Sequence, residues 1–350
     1  MQKYKPMTFI NGFLCSKMVS GSFGGGSIPS GGMIMAVSGY GMIEKSTDNG
    51  SSWKETLSAS NTGSSRFRGF AISGDGKYQL AGSSTFSSGS GAWISSDFGE
   101  NWNHFDSASR PYDVCAMSSN GQYMAMIQNS SSGAGAFIHQ SSDYGATWGD
   151  SYGGGYSWIS MSSDGRYRLA TRSSNGIAYL SNDYGASYNS ALSLSANSYN
   201  SSAISSDGKY QYIIFANNTL SSGMYCSTDY GATWNYHSIA NSVMWTSSPT
   251  APMVCSDDGK YLACSGRITG YRGVYVSSDY GVNWTKTLDY DFYSSIGMSS
   301  DGKYICGTSF YSIGVGTYLS SDYGSTWTKV TDPTDPVTYG SGGIQMTDIL

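Results

Sequence analysis

The chain has 350 residues, 39% of them hydrophobic and only 12% charged, with a formal net charge of −5 and a pI near 5.1. Aromatics at 14%, including 29 Tyr and 9 Trp, supply a core and exclude a disordered chain. No basic stripe and no run of roughly 18 apolar residues occurs, so neither a nucleic-acid partner nor membrane insertion by a helix is expected.

At the N-terminus, Met7 to Cys15 is apolar, but Asn11 and Lys17 interrupt the pattern and no clear signal-peptide cleavage site follows. Residues 1–27 read as an arm ahead of a repetitive domain over 28–350. The first strand-like run, Met33 to Val37, leads into the octet Ser46-Thr-Asp-Asn-Gly-Ser-Ser-Trp53. The pattern returns in Ser95 to Trp102, Ser141 to Trp148, Ser181 to Tyr188, Ser227 to Trp234, Ser277 to Trp284 and Ser320 to Trp327. Its aspartates, Asp48, Asp97, Asp143, Asp183, Asp229, Asp279 and Asp322, recur every 40 to 50 residues. That period suits one four-stranded blade.

A second turn alternates with the octets, at Asp75-Gly, Asn120-Gly, Asp164-Gly, Asp207-Gly, Asp258-Gly and Asp301-Gly, each followed two residues on by Tyr. Asp-Gly and Asn-Gly between alternating apolar runs are strong hairpin signals, so each repeat holds two hairpins. Large residues three and five positions before these turns (Ile72 and Phe70, Met161 and Ile159, Met298 and Ile296) flank small ones such as Ala71, Ser160 and Gly297. That alternation fits an innermost strand. The fold expected is all-β: a seven-bladed β-propeller of four-stranded antiparallel blades. Gly343 to Met346 copies the innermost-strand pattern, so the C-terminal strand is expected to complete the first blade.

The octets resemble the Asp-box, or BNR repeat, of sialidase-like and sortilin-like propellers, across nearly the whole chain. The resemblance implies hairpin turns on the face away from any ligand. The Asp accepts backbone N–H bonds across its own turn, Gly takes the left-handed position and Trp packs its large face. Seven identical carboxylates cannot mark one site, so their role is structural. Tyr188 replaces Trp in the fourth copy.

Binding is expected on the variable segments opposite these turns. Six of the eight arginines fall in or beside them: Arg66, Arg68, Arg110, Arg172, Arg267 and Arg272. With Tyr112, Trp158, Trp245 and Tyr271, these form the candidate ligand-binding set, because guanidinium forks and aromatic platforms suit acidic or polyhydroxyl ligands. A second column stands four residues before each octet aspartate: Glu44, Trp93, His139, Tyr179, Tyr225, Tyr275 and Tyr318. Packing between blades is its expected use, with sugar pockets the alternative.

No metal or cofactor is expected. The six cysteines (Cys15, Cys115, Cys226, Cys255, Cys264, Cys306) lack Cys-x-x-Cys spacing and read as small buried hydrophobes. Sialidases of this group clamp a carboxylate with three arginines and use a Tyr nucleophile activated by Glu. Phe67-Arg68-Gly69-Phe70 lacks the Ile and Pro of their arginine segment, and only Glu44, Glu55 and Glu100 exist. The function expected is therefore non-catalytic recognition of a glycan or glycosylated surface receptor, extracellular or on a virion as a viral or phage attachment domain. A glycosidase using Asp113, Asp150, Asp289 or Asp291 is one alternative; a protein-binding assembly factor is the other.

Overall fold

A computed structural model describes residues 13–14, 17–18, 34–38, 42–46, 54–58 and 346–348, and all of 67–329 except ten segments: 84–90, 107–109, 129–136, 173–175, 194–198, 216–222, 238–252, 267–272, 290–295 and 310–315. Among them every regular element is a strand. The strands pair into seven sheets, numbered here in chain order.

The third sheet shows the plan. Tyr112–Met117, Met124–Gln128, Phe137–Ser141 and Gly149–Gly153 run up and down, each antiparallel to the next. The second sheet repeats it with Phe67–Ile72, Gln79–Ser83, Ala92–Ser95 and Asn103–Asp106. The fourth has Tyr156–Met161, Arg168–Arg172, Ile177–Ser181 and Asn189–Ser193, and the fifth Tyr199–Ile204, Gln211–Phe215, Gly223–Ser227 and Asn235–His237. The sixth spans Met253–Cys255 to Thr285–Leu288 and the seventh Ile296–Ser299 to Thr328–Lys329. In the first sheet Met346–Asp348 lies antiparallel to Ile34–Ser38, with Val37 opposite Met346. Ile344, expected to lead that strand, lies outside the described residues. Within the arm, Phe13–Leu14 and Lys17–Met18 add parallel to Phe67–Ile72 and Ile296–Ser299.

The core lies between sheets. One cluster joins Leu80, Ala92 and Ile94 of the second sheet to Tyr112, Cys115, Met124 and Met126 of the third; another joins Ile138 to Tyr156, Trp158 and Ile159. Both faces of a sheet are covered by neighbours, which is why the innermost strands are buried on alternating large and small side chains alike: Phe70 and Ala71 are both buried. Cys115, Cys226 and Cys264 are free and buried and Cys255 is partly buried, as small hydrophobes.

The two repeated turns lie side by side. The backbone N–H of each octet aromatic donates to a carbonyl of the same sheet's other turn, Tyr144 to Gln122 (3.0 Å) and Tyr280 to Lys260 (3.0 Å) among them. Between sheets, the amide before each turn Asp or Asn donates to its counterpart in the next sheet. Gly74 donates to Ser119, Ser119 to Ser163, Ser163 to Ser206, Ser206 to Asp257 and Asp257 to Ser300, at 2.6 to 2.9 Å.

In the octets, Gly is left-handed as expected, but so is the aromatic before it. Phe98, Tyr144, Tyr184, Tyr230, Tyr280 and Tyr323 have φ of 61° to 63°. An L-residue there is strained by roughly 1–2 kcal/mol. Stacking accompanies the strain: Tyr144 lies on Tyr78 of the preceding sheet, and Tyr184 on Tyr123, Tyr230 on Tyr167, Tyr280 on Tyr210 and Tyr323 on Tyr261 (centroids 4.6 to 5.2 Å apart).

Candidate functional site: a rim groove between the second and third sheets

The octet carboxylates are occupied by their own turns. Asp143 Oδ1 accepts from Ser141 Oγ (2.8 Å) and the Thr147 amide (2.8 Å), and Oδ2 from Thr147 Oγ1 (2.6 Å). Asp97, Asp183, Asp229, Asp279 and Asp322 repeat this with Asn101, Ser187, Thr233, Asn283 and Thr326. Asp48 lies outside the described residues. The threonine hydroxyl beside Asp143, Asp229 and Asp322, then the backbone amide, holds each carboxyl below its ordinary value.

The rim differs from sheet to sheet. The column before the octets forms cross-strand pairs: Trp93 with His104, His139 with Asp150, Tyr179 with Ser190, Tyr225 with Tyr236, Tyr275 with Lys286 and Tyr318 with Lys329. At His139 this column opens into a groove of about 500 Å³, lined by Phe105, Asp106 and Arg110 from the second sheet's side and His139, Trp148 and Asp150 from the third. Trp148 is held by its indole N–H donating to Gly145 O (3.0 Å) and stacks with both Phe105 (4.4 Å, 10°) and His139 (5.2 Å, 11°).

His139 Nδ1 lies 2.6 Å from Asp150 Oδ1, and Arg110 Nη1 lies 3.9 Å from Asp150 Oδ2. A neutral imidazole with its proton on Nδ1, toward that carboxylate, has Nε2 as an acceptor. Tyr112 donates its hydroxyl to Asp106 Oδ2. Burial, then this hydrogen bond, pushes the Tyr112 phenol far above its ordinary value, so it stays a donor. Asp150 is exposed.

Of the candidates from sequence, Arg110 lines this groove. Tyr112 and Trp158 do not present a face: both are buried, at 0% and 2% exposure, and Trp158 Nε1 donates to Ser202 O of the next sheet (3.2 Å). The strands Tyr112–Met117 and Tyr156–Met161 carry both side chains into the packing between sheets, away from the variable segments. Arg172 is not an open fork either; its guanidinium stacks on Tyr156 (4.6 Å) and Tyr179 (4.5 Å). Arg66, Trp245, Arg267, Tyr271 and Arg272 lie outside the described residues, as does the side chain of Arg68. Sequence reasoning passed over Phe105, Asp106 and Trp148, whose meeting depends on how two sheets pack.

It also missed a buried network between the third and fourth sheets. Arg168, 1% exposed, donates from Nε to Gly165 O (3.1 Å) and from Nη1 to Gln140 Oε1 (2.6 Å), while Tyr188 OH lies 3.4 Å from that same Gln140 oxygen. Burial pushes the Tyr188 phenol up to about 12 against the opposing pull of Arg168. Gln79 and Gln211 stand where Arg168 does in the second and fifth sheets, each donating to the matching glycine carbonyl (3.1 Å). The Trp-to-Tyr exchange in the fourth octet thus accompanies a buried arginine.

No family model and no curated protein matches the chain. Solved structures do. A structure titled YCF48 bound to D1 peptide shares 13% identity over 95% of this chain and 99% of that one, with a TM-score of 0.54. The nidogen/laminin complex gives 10% identity, 91% and 99% coverage and a TM-score of 0.52. A GH74 xyloglucanase from Xanthomonas campestris aligns at 14% identity and a TM-score of 0.46, covering 85% of this chain; the chain spans only 56% of that enzyme. The likeness to the first two is one of fold, and the fold is a β-propeller.

Proposed function

We propose that the chain is a non-catalytic recognition propeller whose rim groove between the second and third sheets binds a neutral saccharide. The seven sheets are then the blades of one ring closed by Met346–Asp348, and the octets are Asp-box turns that build it. The observation that carries the reading is the convergence of Asp150, Arg110, His139 and Asp106 beside the Phe105–Trp148 stack in one groove.

Carboxylates and an imidazole nitrogen accept from sugar hydroxyls, and a guanidinium donates to them. Two carboxylates against one arginine disfavour the acidic ligand that the arginine count had favoured, since like charge repels. Both carboxylates are engaged by neighbours, Asp106 by the Tyr112 hydroxyl and Asp150 by His139, and a glycosidase would need one of them as its proton donor. A glycosylated surface is the partner this chemistry fits.

An array carrying neutral and sialylated glycans tests the reading. The wild type should retain neutral glycans preferentially. Asp150→Ala, at an exposed position, should weaken that binding at least tenfold, about 1.4 kcal/mol, without lowering the melting temperature. Preference for sialylated glycans, or turnover of chromogenic glycosides, would overturn it.

A further inference from the structure

We propose that Tyr236, on the fourth strand of the fifth sheet, is the platform of a second saccharide subsite. The inference rests on the reading that the rim groove at His139 binds a neutral saccharide, and it adds a second site of different chemistry.

The cross-strand pair Tyr225–Tyr236 is the repeat equivalent of His139–Asp150. Its outer member is the most exposed aromatic side chain among the described residues, at 51%. Behind it stand Tyr225 (centroids 5.6 Å apart, 57°) and the buried Phe215 (6.1 Å, 48°), which also meet each other at 5.3 Å. The exposed ring therefore has two aromatic rings behind it.

A glycine fixes its position. A Cβ at Gly223 would collide with the Tyr236 ring, so the phenol lies directly against the backbone of the third strand. Two other sheets repeat this seat under a different side chain: Gly91 lies beneath His104 Nε2, and Gly273 beneath the Lys286 chain. Glycine holds this place in these three sheets, while Phe137 and Ile177 hold it in the third and fourth, and the seated group changes from imidazole to phenol to ammonium. Phe215 is likewise particular to this sheet, since its position holds Gln128 in the third and Arg172 in the fourth.

A pinned aromatic face with a hydroxyl at its edge suits the C–H face and equatorial hydroxyls of a pyranose, and loses little freedom when it binds. Because the ring is held before the ligand arrives, its contribution comes from stacking area and not from charge. Two such subsites on one rigid ring raise the apparent affinity for a branched or surface-bound glycan well beyond either alone.

Native mass spectrometry of the full chain with cellotetraose and with maltotetraose counts the sites. The wild type should carry two bound oligosaccharides, Asp150→Ala one, Tyr236→Ala one and the double variant none. Tyr236→Phe should keep two, because the ring face remains. Gly223→Ala, which displaces the ring without removing it, should behave as Tyr236→Ala and guards against a folding artefact in that variant. If Tyr236→Ala still carries two, or if Asp150→Ala alone abolishes all binding, the second subsite is refuted while the first groove stands. If the wild type binds neither probe, the saccharide reading falls and this inference falls with it.

Discussion

The turn face and the rim of this propeller are built from the same repeat and have opposite characters. On the turn face every described octet makes the same bonds, from serine and Thr, Ser or Asn side chains to one carboxylate, and every described octet aromatic is held left-handed. Along the rim, one equivalent cross-strand pair is Trp–His, His–Asp, Tyr–Ser, Tyr–Tyr, Tyr–Lys and Tyr–Lys in successive sheets. A constant position serves the ring, because each blade must meet its neighbours in the same way. A position whose chemistry changes while its backbone does not is free for recognition.

The comparison breaks if the turn face is dispensable. Trp284 packs against the core between the fifth and sixth sheets and donates to Gly281 O (3.0 Å). Trp284→Ala should lower stability by about 2–4 kcal/mol in denaturant unfolding, since a large side chain leaves a cavity and an unmade bond. Saccharide binding should persist wherever the variant is folded.

The fourth octet sharpens the point, because there the repeat is broken in two places at once. Arg168→Gln introduces the residue of the second and fifth sheets and keeps a donor for Gly165 O, but removes the partner of Gln140 beside Tyr188. We expect a loss of about 1–2 kcal/mol for Arg168→Gln and a coupling of about 1 kcal/mol with Tyr188→Trp in a double-mutant cycle. Additive effects would mean that the two exchanges are independent.

The smallest effect is acid sensitivity. Folding depresses the octet carboxyls, chiefly through the hydroxyls of Thr147, Thr233 and Thr326. Their contribution is complete above the ordinary value of 3.8 and is lost as pH falls through the lower folded value. Melting temperature followed from about pH 5 to about pH 2 should fall most steeply below 3.8. Thr233→Val should flatten that fall slightly.

The repeat, the paired turns and the strand periodicity were legible because they rest on local chemistry: Asp-Gly turns, alternation and spacing. The groove was half legible. His139 and Arg110 stand out from sequence, but Trp148 had been assigned to the scaffold, and its contact with Phe105 is set by packing between sheets. Trp158 and Tyr112 misled for the same reason. A strand that starts at Tyr112 turns this aromatic into a core residue, and the bulge after it fixes which way it faces.

One measurement bears on the central claim most directly: binding and melting compared for Asp150→Ala and Trp284→Ala on the same neutral glycan. The rim variant should lose at least tenfold in affinity, about 1.4 kcal/mol, with unchanged melting, and the turn variant should melt earlier with unchanged affinity. The reverse pattern would contradict the account, placing recognition on the repeated face and leaving the rim as packing.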